Sequence, residues 1–244
     1  MGSCGGRGVL DENERAITKG EDMIGWGNVN TKELIQYFKL YSHSEILNAN
    51  AFKQAAKCAK LNIEGFDKDD NPKGKFYGSI SVGEEEDIRF AEQPLVLLAI
   101  LLGKGSTKEK ATRLFEEFDQ DVSGKLGRLE IITMFTALIG AGIAKLPELG
   151  VGNTDEGFTT KEKIDAYQVK IGKNLDTGVE KLVNNVLGEE TTDVEKDTFI
   201  ENLCKPANAK VLSSHGFRSF ILMSGTPELG ENADETNQEE EEES

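Results

Sequence analysis

The middle of the chain alternates apolar and polar residues with the spacing of two amphipathic helices around an acidic loop. Ser106 and Glu109 form the capping-box pattern that opens a helix. Apolar residues then recur at i, i+3, i+4 and i+7, namely Ala111, Leu114, Phe115 and Phe118. A second apolar run extends from Ile131 to Ile139. The pattern therefore predicts a helix, a loop over residues 119–130 and a second helix.

Weaker versions of this pattern occur on both sides of the segment. Asn30 and Thr177 each stand three residues before a Glu, which predicts two further helix starts. The loops after these helices are expected over residues 40–51 and 187–198. Because such loops are joined in pairs by a short β-bridge, we expect a mainly α fold with two pairs of helix-loop-helix motifs and short β-bridges between their loops.

The predicted motifs divide the chain into four regions. In the second pair, Leu126 and Val194 are the apolar residues expected to face each other across the bridge. The regions are an N-terminal arm (1–30), an N-terminal lobe (31–103), a C-terminal lobe (104–212), and an apolar segment followed by an acidic tail (213–244).

The longest apolar run predicts a buried helix rather than a membrane span. Residues 94–102 are apolar throughout, but a span needs about 18 or more apolar residues. The helix that contains this run is expected over residues 85–102. Pro94 lies in the middle of that range, so we expect a kink there.

Charge changes the picture of the chain's two ends. The 244 residues include 28 Lys and Arg and 44 Asp and Glu, which gives a net charge of −16. Nine of the acids lie between residues 228 and 244, a stretch without Lys or Arg that we expect to be disordered. This charge argues against a nucleic-acid partner. The odd count of 3 cysteines argues for a reducing compartment.

The loop over residues 119–130 has the spacing of a calcium-binding loop. The expected side-chain donors are Asp119 at position 1, Asp121 at position 3, Ser123 at position 5 and Glu130 at position 12. At position 7 the donor is the backbone carbonyl of Lys125. A water would fill position 9, because Gly127 has no side chain. Gly124 stands at position 6, where the chain turns sharply. Oxygen donors at this spacing suit Ca²⁺ better than Zn²⁺.

The other three loops lack a complete donor set. No acid stands at the ligand positions of the 40–51 loop, and Leu187 and Thr198 stand where ligands belong in the 187–198 loop. In the remaining loop, over residues 67–84, the set made of Asp67, Asp69, Asn71 and Glu84 resembles the two ends of a metal loop. Residues 72–77 interrupt it, and a plain β-hairpin with exposed acids is favoured over a metal site there.

The first residues carry the pattern of a lipid anchor. Gly2 follows the initiator Met and precedes small residues, which is typical of N-myristoylation, although position 6 is Gly rather than Ser or Thr. Cys4 stands where a second, palmitoyl chain could attach, and stable anchoring takes two signals. The alternative is a flexible, unmodified Gly-rich start.

These features together resemble a known class of protein. Gly2, Cys4, the 119–130 loop and the two helix-loop-helix pairs are similar to the EF-hand calcium-binding proteins that are acylated at the amino terminus. These include the neuronal calcium sensors, the calcineurin B type and the flagellar calcium-binding proteins of protists. The resemblance covers residues 31–212 as architecture, and only the third loop is specific at residue level. It implies a calcium-responsive adaptor at the cytoplasmic face of a membrane, often in a cilium or flagellum.

The sequence leaves two functions open and argues against a third. In a sensor, Ca²⁺ would expose Phe115, Met134 and Phe135 as an apolar groove for a helix of a target protein. The apolar segment 217–223 could occupy that groove, but completion of the core is favoured. The alternative is a structural subunit of a ciliary or cytoskeletal assembly. An enzyme is not expected, since His43 and His215 stand in no catalytic or metal motif.

Overall fold

The computed structural model describes residues 10–68, 71–83, 87–188 and 191–225. Within these residues the chain is mainly α-helical, with two small antiparallel sheets of two strands, so the predicted class is confirmed at that level. The first five helices are α1 (Glu12–Ile24), α2 (Thr31–Tyr41), α3 (Ala49–Cys58), α4 (Pro72–Ile80) and α5 (Glu92–Leu102). The next six are α6 (Thr107–Phe118), α7 (Arg128–Ile139), α8 (Lys161–Gly172), α9 (Leu175–Leu187), α10 (Lys196–Cys204) and α11 (Ser214–Ser224).

Each strand lies in a loop between two helices. The strands are β1 (Ile46–Asn48), β2 (Arg89–Ala91), β3 (Lys125–Gly127) and β4 (Asp193–Glu195). β1 pairs with β2 and β3 pairs with β4, both antiparallel. Leu47 faces Phe90 in the first sheet, and Leu126 faces Val194 in the second. The predicted bridge between Leu126 and Val194 is confirmed.

Side-chain caps start two helices where the sequence predicts them. Oδ1 of Asn30 accepts a hydrogen bond from the backbone N–H of Lys32 at 2.8 Å, and Oγ of Ser106 accepts one from the N–H of Glu109 at 3.2 Å. The predicted start at Thr177 is wrong, because α9 begins at Leu175. The chain turns at Asn174, the residue before α9, so Thr177 lies inside the first helical turn.

Residues 72–80 also differ from the sequence interpretation. We expected residues 72–77 to interrupt a metal loop or to belong to a β-hairpin, but they form most of α4. Pro72 stands in the first turn of the helix, and Oδ1 of Asn71 accepts a hydrogen bond from the N–H of Gly74 at 2.9 Å. An Asn cap followed by Pro is a favourable local start for a helix. The hairpin expectation is therefore wrong.

The helix expected over residues 85–102 is shorter in the structure. β2 takes up residues 89–91, so α5 begins only at Glu92. Pro94 consequently lies in the first turn, where a missing N–H leaves no helical hydrogen bond unmade. The kink expected in the middle of the helix is therefore wrong as well.

The N-terminal sheet lies against a core of aromatic rings. The ring centroid of Phe90 lies 4.5 Å from that of Phe52 and 6.1 Å from that of Tyr77. Trp26 is fully buried, packs against Phe38 with centroids 5.4 Å apart, and donates its indole N–H to the hydroxyl of Tyr77 at 2.7 Å. These contacts anchor the segment after α1 onto the N-terminal lobe.

A long helical stretch follows the acidic loop. α7 continues into a π-helical segment (Gly140–Lys145) and a 3₁₀ segment (Leu146–Gly150). Among the described residues, Arg128–Gly150 is the one helix long and apolar enough to cross a membrane, with a mean hydropathy of 1.7, and the sequence interpretation did not single it out. Ile131, Met134 and Leu138 are fully buried in the protein, and 44% of the apolar window is buried.

Candidate metal centre

The loop between α6 and α7 is held by hydrogen bonds to its acidic side chains. Asp119 ends α6, and its Oδ1 accepts from the N–H of Ser123 at 2.9 Å and from the Ser123 hydroxyl at 3.1 Å. Its Oδ2 accepts from the N–H of Gly124 at 3.1 Å. Oδ1 of Asp121 also accepts from the N–H of Ser123, at 3.0 Å. Both carboxylates therefore point into the turn that they cap.

Two residues of this turn have left-handed backbone conformations. Gly124 has φ = 76°, as expected for the residue at the sharp turn. Val122 has φ = 55°, which is unusual for a β-branched residue, and its side chain is 84% exposed. The sequence gives no signal of this conformation at Val122, because Val has no preference for it.

Three of the predicted donor oxygens lie close to one another. The hydroxyl of Ser123 is 3.1 Å from Oδ1 of Asp119 and donates to the carbonyl oxygen of Lys125 at 3.0 Å. Oxygen ligands that surround one Ca²⁺ at about 2.4 Å lie about 3 Å from their neighbours. Both distances are those of O–H···O hydrogen bonds, and they are also compatible with neighbouring ligands of one hard cation.

The Glu130 carboxylate is bonded to the backbone at the start of α7. Its Oε2 accepts a hydrogen bond from the N–H of Gly127 at 2.7 Å, at the start of α7. In the described residues, no three His, Cys, Asp or Glu side chains converge as a ready metal-ligand cluster. The loop thus presents a partial set of donors, which Glu130 would complete by turning away from Gly127.

The loop is exposed and acidic. Asp121 and Ser123 are exposed, and Asp119 and Glu130 are half-buried. The hydrogen bonds from the hydroxyl and the N–H of Ser123 lower the pKa of Asp121 below its usual value. This carboxylate is therefore charged at neutral pH and available to a cation.

The neighbouring loop supports this one through backbone and side-chain contacts. The N–H of Arg128 donates to the carbonyl of Thr192 at 3.1 Å, and the N–H of Lys196 donates to the carbonyl of Gly124 at 3.2 Å. Nζ of Lys125 lies 3.3 Å from Oδ1 of Asp193. These cross-loop contacts are not visible in the sequence, since they depend on the pairing of β3 with β4.

In the loop over residues 187–198, the two positions expected to lack ligands have other roles. The carbonyl of Leu187 accepts a hydrogen bond from the hydroxyl of Thr191. Thr198 lies in the first turn of α10. The loop keeps its pairing with β3 while it offers no acid at those two positions.

The loop over residues 40–51 closes as a tight turn. His43 and Ile46 exchange two backbone hydrogen bonds, of 2.9 and 3.1 Å, around Ser44 and Glu45. Both of these central residues have positive φ, of 50° and 61°. This is the geometry of a two-residue hairpin turn, and it offers no cluster of oxygen donors.

The weaker donor set at residues 67–84 is not assembled by the described residues. Nζ of Lys53 lies 3.2 Å from Oδ2 of Asp67, and Asn71 caps α4 as described above. Asp69 and Glu84 lie outside the described residues. α4 starts directly after Asn71 and therefore lies between the two ends of this set, and metal binding by these four residues stays a prediction.

Two further predicted sites, Gly2 and Cys4, lie outside the described residues, so their acylation stays a prediction. No protein-family model matches the chain, and no curated protein is significantly similar to it.

Proposed function

We propose that the chain is a non-enzymatic calcium-binding protein of the EF-hand type, with its metal site in the 119–130 loop. The observation that supports this most directly is the close approach of Asp119, Ser123 and Lys125 oxygens, at 3.0 and 3.1 Å. Asp121 and Glu130 supply the remaining protein oxygens, and water completes the shell at Gly127. A bound Ca²⁺ would draw these oxygens together and neutralise part of their charge.

Glu130 has the decisive role in this proposal. Its carboxylate would exchange the hydrogen bond to Gly127 for the cation. Because Glu130 lies in the first turn of α7, this exchange would pull the start of that helix toward the loop. The movement of α7 is the step through which binding could become a signal.

Calcium titration by isothermal calorimetry tests the site. Glu130→Gln keeps the size of the side chain and removes its charge, so we expect at least a tenfold loss of affinity. Asp155→Asn is the matched control, because Asp155 is exposed in a short 3₁₀ segment (Thr154–Glu156) outside the loop. Equal affinity in the wild type and Glu130→Gln would refute the site.

As a biological role, we propose a calcium sensor or adaptor in the cytoplasm, at a cellular or ciliary membrane. Phe115, Met134 and Phe135 are buried, so a target helix would need them to become exposed when calcium binds. Phe217 and Ile221 of α11 are fully buried as well, which supports the interpretation that α11 completes the core. An apolar dye measured with and without Ca²⁺ tests exposure.

A structural subunit of a ciliary or cytoskeletal assembly is the second candidate. It is favoured by the β1–β2 sheet, which holds its loops together through Leu47 and Phe90, while the part of the chain that the structure describes shows no acidic donor cluster beside it. Such a protein would keep its shape regardless of calcium. Calcium binding without any dye response would favour this role over the sensor.

Membrane attachment through Gly2 and Cys4 is a separate proposal. Intact-mass spectrometry of the protein from its native cell should show myristoyl and palmitoyl additions. Gly2→Ala should remove both, because the second chain depends on the first for access to the membrane. Cys4→Ser should remove only the palmitoyl group. An unmodified native protein would refute the anchor.

A further inference from the structure

The two terminal helices meet in a buried cluster of charged groups. Arg218 of α11 is fully buried and donates to both carboxylate oxygens of Glu14 in α1, at 2.7 and 2.9 Å. It also donates to Oε1 of Glu21, at 3.1 Å. A guanidinium that binds one carboxylate through two hydrogen bonds and a second through a third is a strong, directional contact.

Neighbouring side chains complete the cluster. The hydroxyl of Tyr167 in α8 donates to Glu14, and Nδ1 of His215 lies 2.7 Å from its Oε2. The hydroxyl of Ser214 donates to Glu21 at 2.8 Å. Burial alone would raise the pKa of Glu14, but its bonds to Arg218, Tyr167 and His215 lower it, so this carboxylate is charged. Burial raises the pKa of Glu21, despite its contact with Arg218.

Arg218 also contacts the π-helical segment. It donates to the carbonyl of Gly142 at 3.2 Å, and Nε2 of Gln168 donates to the carbonyls of Ile143 and Ala144 at 2.9 and 3.0 Å. A π segment has a wider turn than an α-helix, is rare, and is often found at functional sites. Side chains from α11 and α8 thus bind the carbonyls of this segment directly.

α1 packs against the C-terminal end of the helical stretch that contains the π segment. A Cβ on Gly20 of α1 would lie 2.1 Å from the carbonyl oxygen of Leu149, so only glycine allows this approach. The helical stretch Arg128–Gly150 therefore begins next to the candidate metal loop and ends in contact with α1. Glu130 lies near one end and the charged cluster near the other.

We propose that Glu14, Glu21 and Arg218 form an ionic latch that is coupled, through α7 and the π segment, to cation binding at the 119–130 loop. The inference rests on the proposed function of that loop. Arg218 binds the carbonyl of Gly142 within the helical stretch that starts at the metal loop. A movement of α7 toward a cation would shift that carbonyl away from Arg218 and so loosen the latch.

Coupling of this kind is reciprocal. If calcium loosens the latch, then a weakened latch must tighten calcium binding by the same factor, which is commonly about 5–150-fold. In this proposal the π segment is the hinge, because a shift to regular α-helix would turn residues 146–150 relative to α7.

Hydrogen exchange of the full chain, followed by mass spectrometry with and without Ca²⁺, tests the latch. We expect calcium to speed exchange in α1, α11 and residues 140–150 of the wild type by at least about fivefold. Glu14→Gln should speed exchange in the same segments without calcium. It should also tighten calcium binding by about fivefold or more in calorimetry.

Matched variants separate the latch from general destabilisation. Lys163→Met removes an exposed ion pair of 2.9 Å between α8 and α1, outside the latch, and should change neither exchange nor affinity. If Glu14→Gln does not fold, Gln168→Ala takes its place, because it removes only the side-chain hydrogen bonds to the carbonyls of the π segment. It should speed exchange at residues 140–145 and tighten calcium binding.

The outcomes distinguish this inference from the proposed function. Calcium binding that leaves exchange in α1 and α11 unchanged would overturn the coupling and leave the metal site standing. An unchanged calcium affinity in both Glu14→Gln and Gln168→Ala would do the same. If the wild type binds no calcium, the metal site and the coupling both fall.

Discussion

The two small sheets are built alike but surrounded differently. Each is centred on one buried apolar pair, Leu47 with Phe90 and Leu126 with Val194. The N-terminal sheet lies against aromatic rings, and its first loop closes in a tight turn. The C-terminal sheet joins an acidic loop to a loop that lacks acids at two expected ligand positions. Lys110, in the helix that leads into the acidic loop, adds a buried charge there.

This difference separates the residues that make the loop shape from those that could bind metal. Both sheets have the same three-residue antiparallel pairing around a buried apolar pair, so the apolar bridge is the feature that the two pairs of loops share. The donors add charge that must be balanced by a cation or by solvent. Evolution could therefore remove a metal site from such a loop and leave the fold intact.

Breaking the apolar bridges should have the largest effect. Phe90→Ala removes a fully buried ring that packs against Phe52 and Tyr77, so we expect the free energy of unfolding to fall by about 3–5 kcal/mol. Leu126→Ala should cost about 2–5 kcal/mol. Urea denaturation measures both.

The two variants should differ in their response to calcium. Leu126→Ala loosens the strand that carries the Lys125 carbonyl and should weaken calcium binding, whereas Phe90→Ala should leave the affinity close to that of the wild type. Val82→Ala is the control for truncation at an exposed apolar residue. Equal losses of calcium affinity in Phe90→Ala and Leu126→Ala would show that the two sheets are not independent.

Calcium itself should sharpen the contrast. At a free concentration about 100 times Kd, a ligand that binds only the folded state adds about 2.7 kcal/mol to the free energy of unfolding. Thermal unfolding with and without Ca²⁺ should show this gain in the wild type and in Asp155→Asn. The gain should disappear in Glu130→Gln. A gain of the same size in Glu130→Gln would place the bound calcium elsewhere.

A buried lysine makes the C-terminal half respond to pH. Nζ of Lys110 in α6 donates to the carbonyl of Leu212 at 3.1 Å, and burial lowers its pKa from 10.5 to about 8. Between these two values the unfolded chain binds more protons than the folded one, so stability rises with pH. The contribution is on the order of 1–3 kcal/mol.

Urea denaturation at pH 7.5 and pH 10 measures this contribution. Lys110→Met should lose the rise relative to the wild type, while Lys163→Met, which changes an exposed lysine, should keep it. Parallel pH profiles for the wild type and Lys110→Met would contradict a shifted pKa at this position.

Local signals in the sequence account for the features that were predicted correctly. Asn30 and Ser106 cap their helices through bonds to residues two and three positions away. The bridge between Leu126 and Val194 follows from the spacing of apolar residues in two similar loops. The turn at Gly124 follows from the loop pattern, because glycine adopts positive φ without strain.

Long-range contacts explain most of what was missed. The bond from Arg218 to Glu14 joins residues 204 positions apart, and no local pattern specifies it. A lone Arg within the apolar run 217–223 was the available signal, since a buried Arg needs an acidic partner. In the 67–84 region the acids suggested a metal loop, but the cap at Asn71 and Pro72 favoured a helix.

The smallest expected effect concerns the strained residue of the acidic loop. Val122 has φ = 55°, a conformation that Asn tolerates far better than a β-branched residue. Val122→Asn should therefore raise the free energy of unfolding by about 0.5–1 kcal/mol. Val82→Asn makes the same substitution at another exposed valine, outside the residues with positive φ, and should give no gain. If both variants change stability equally, the effect belongs to the loss of an exposed apolar side chain and not to the backbone of the loop.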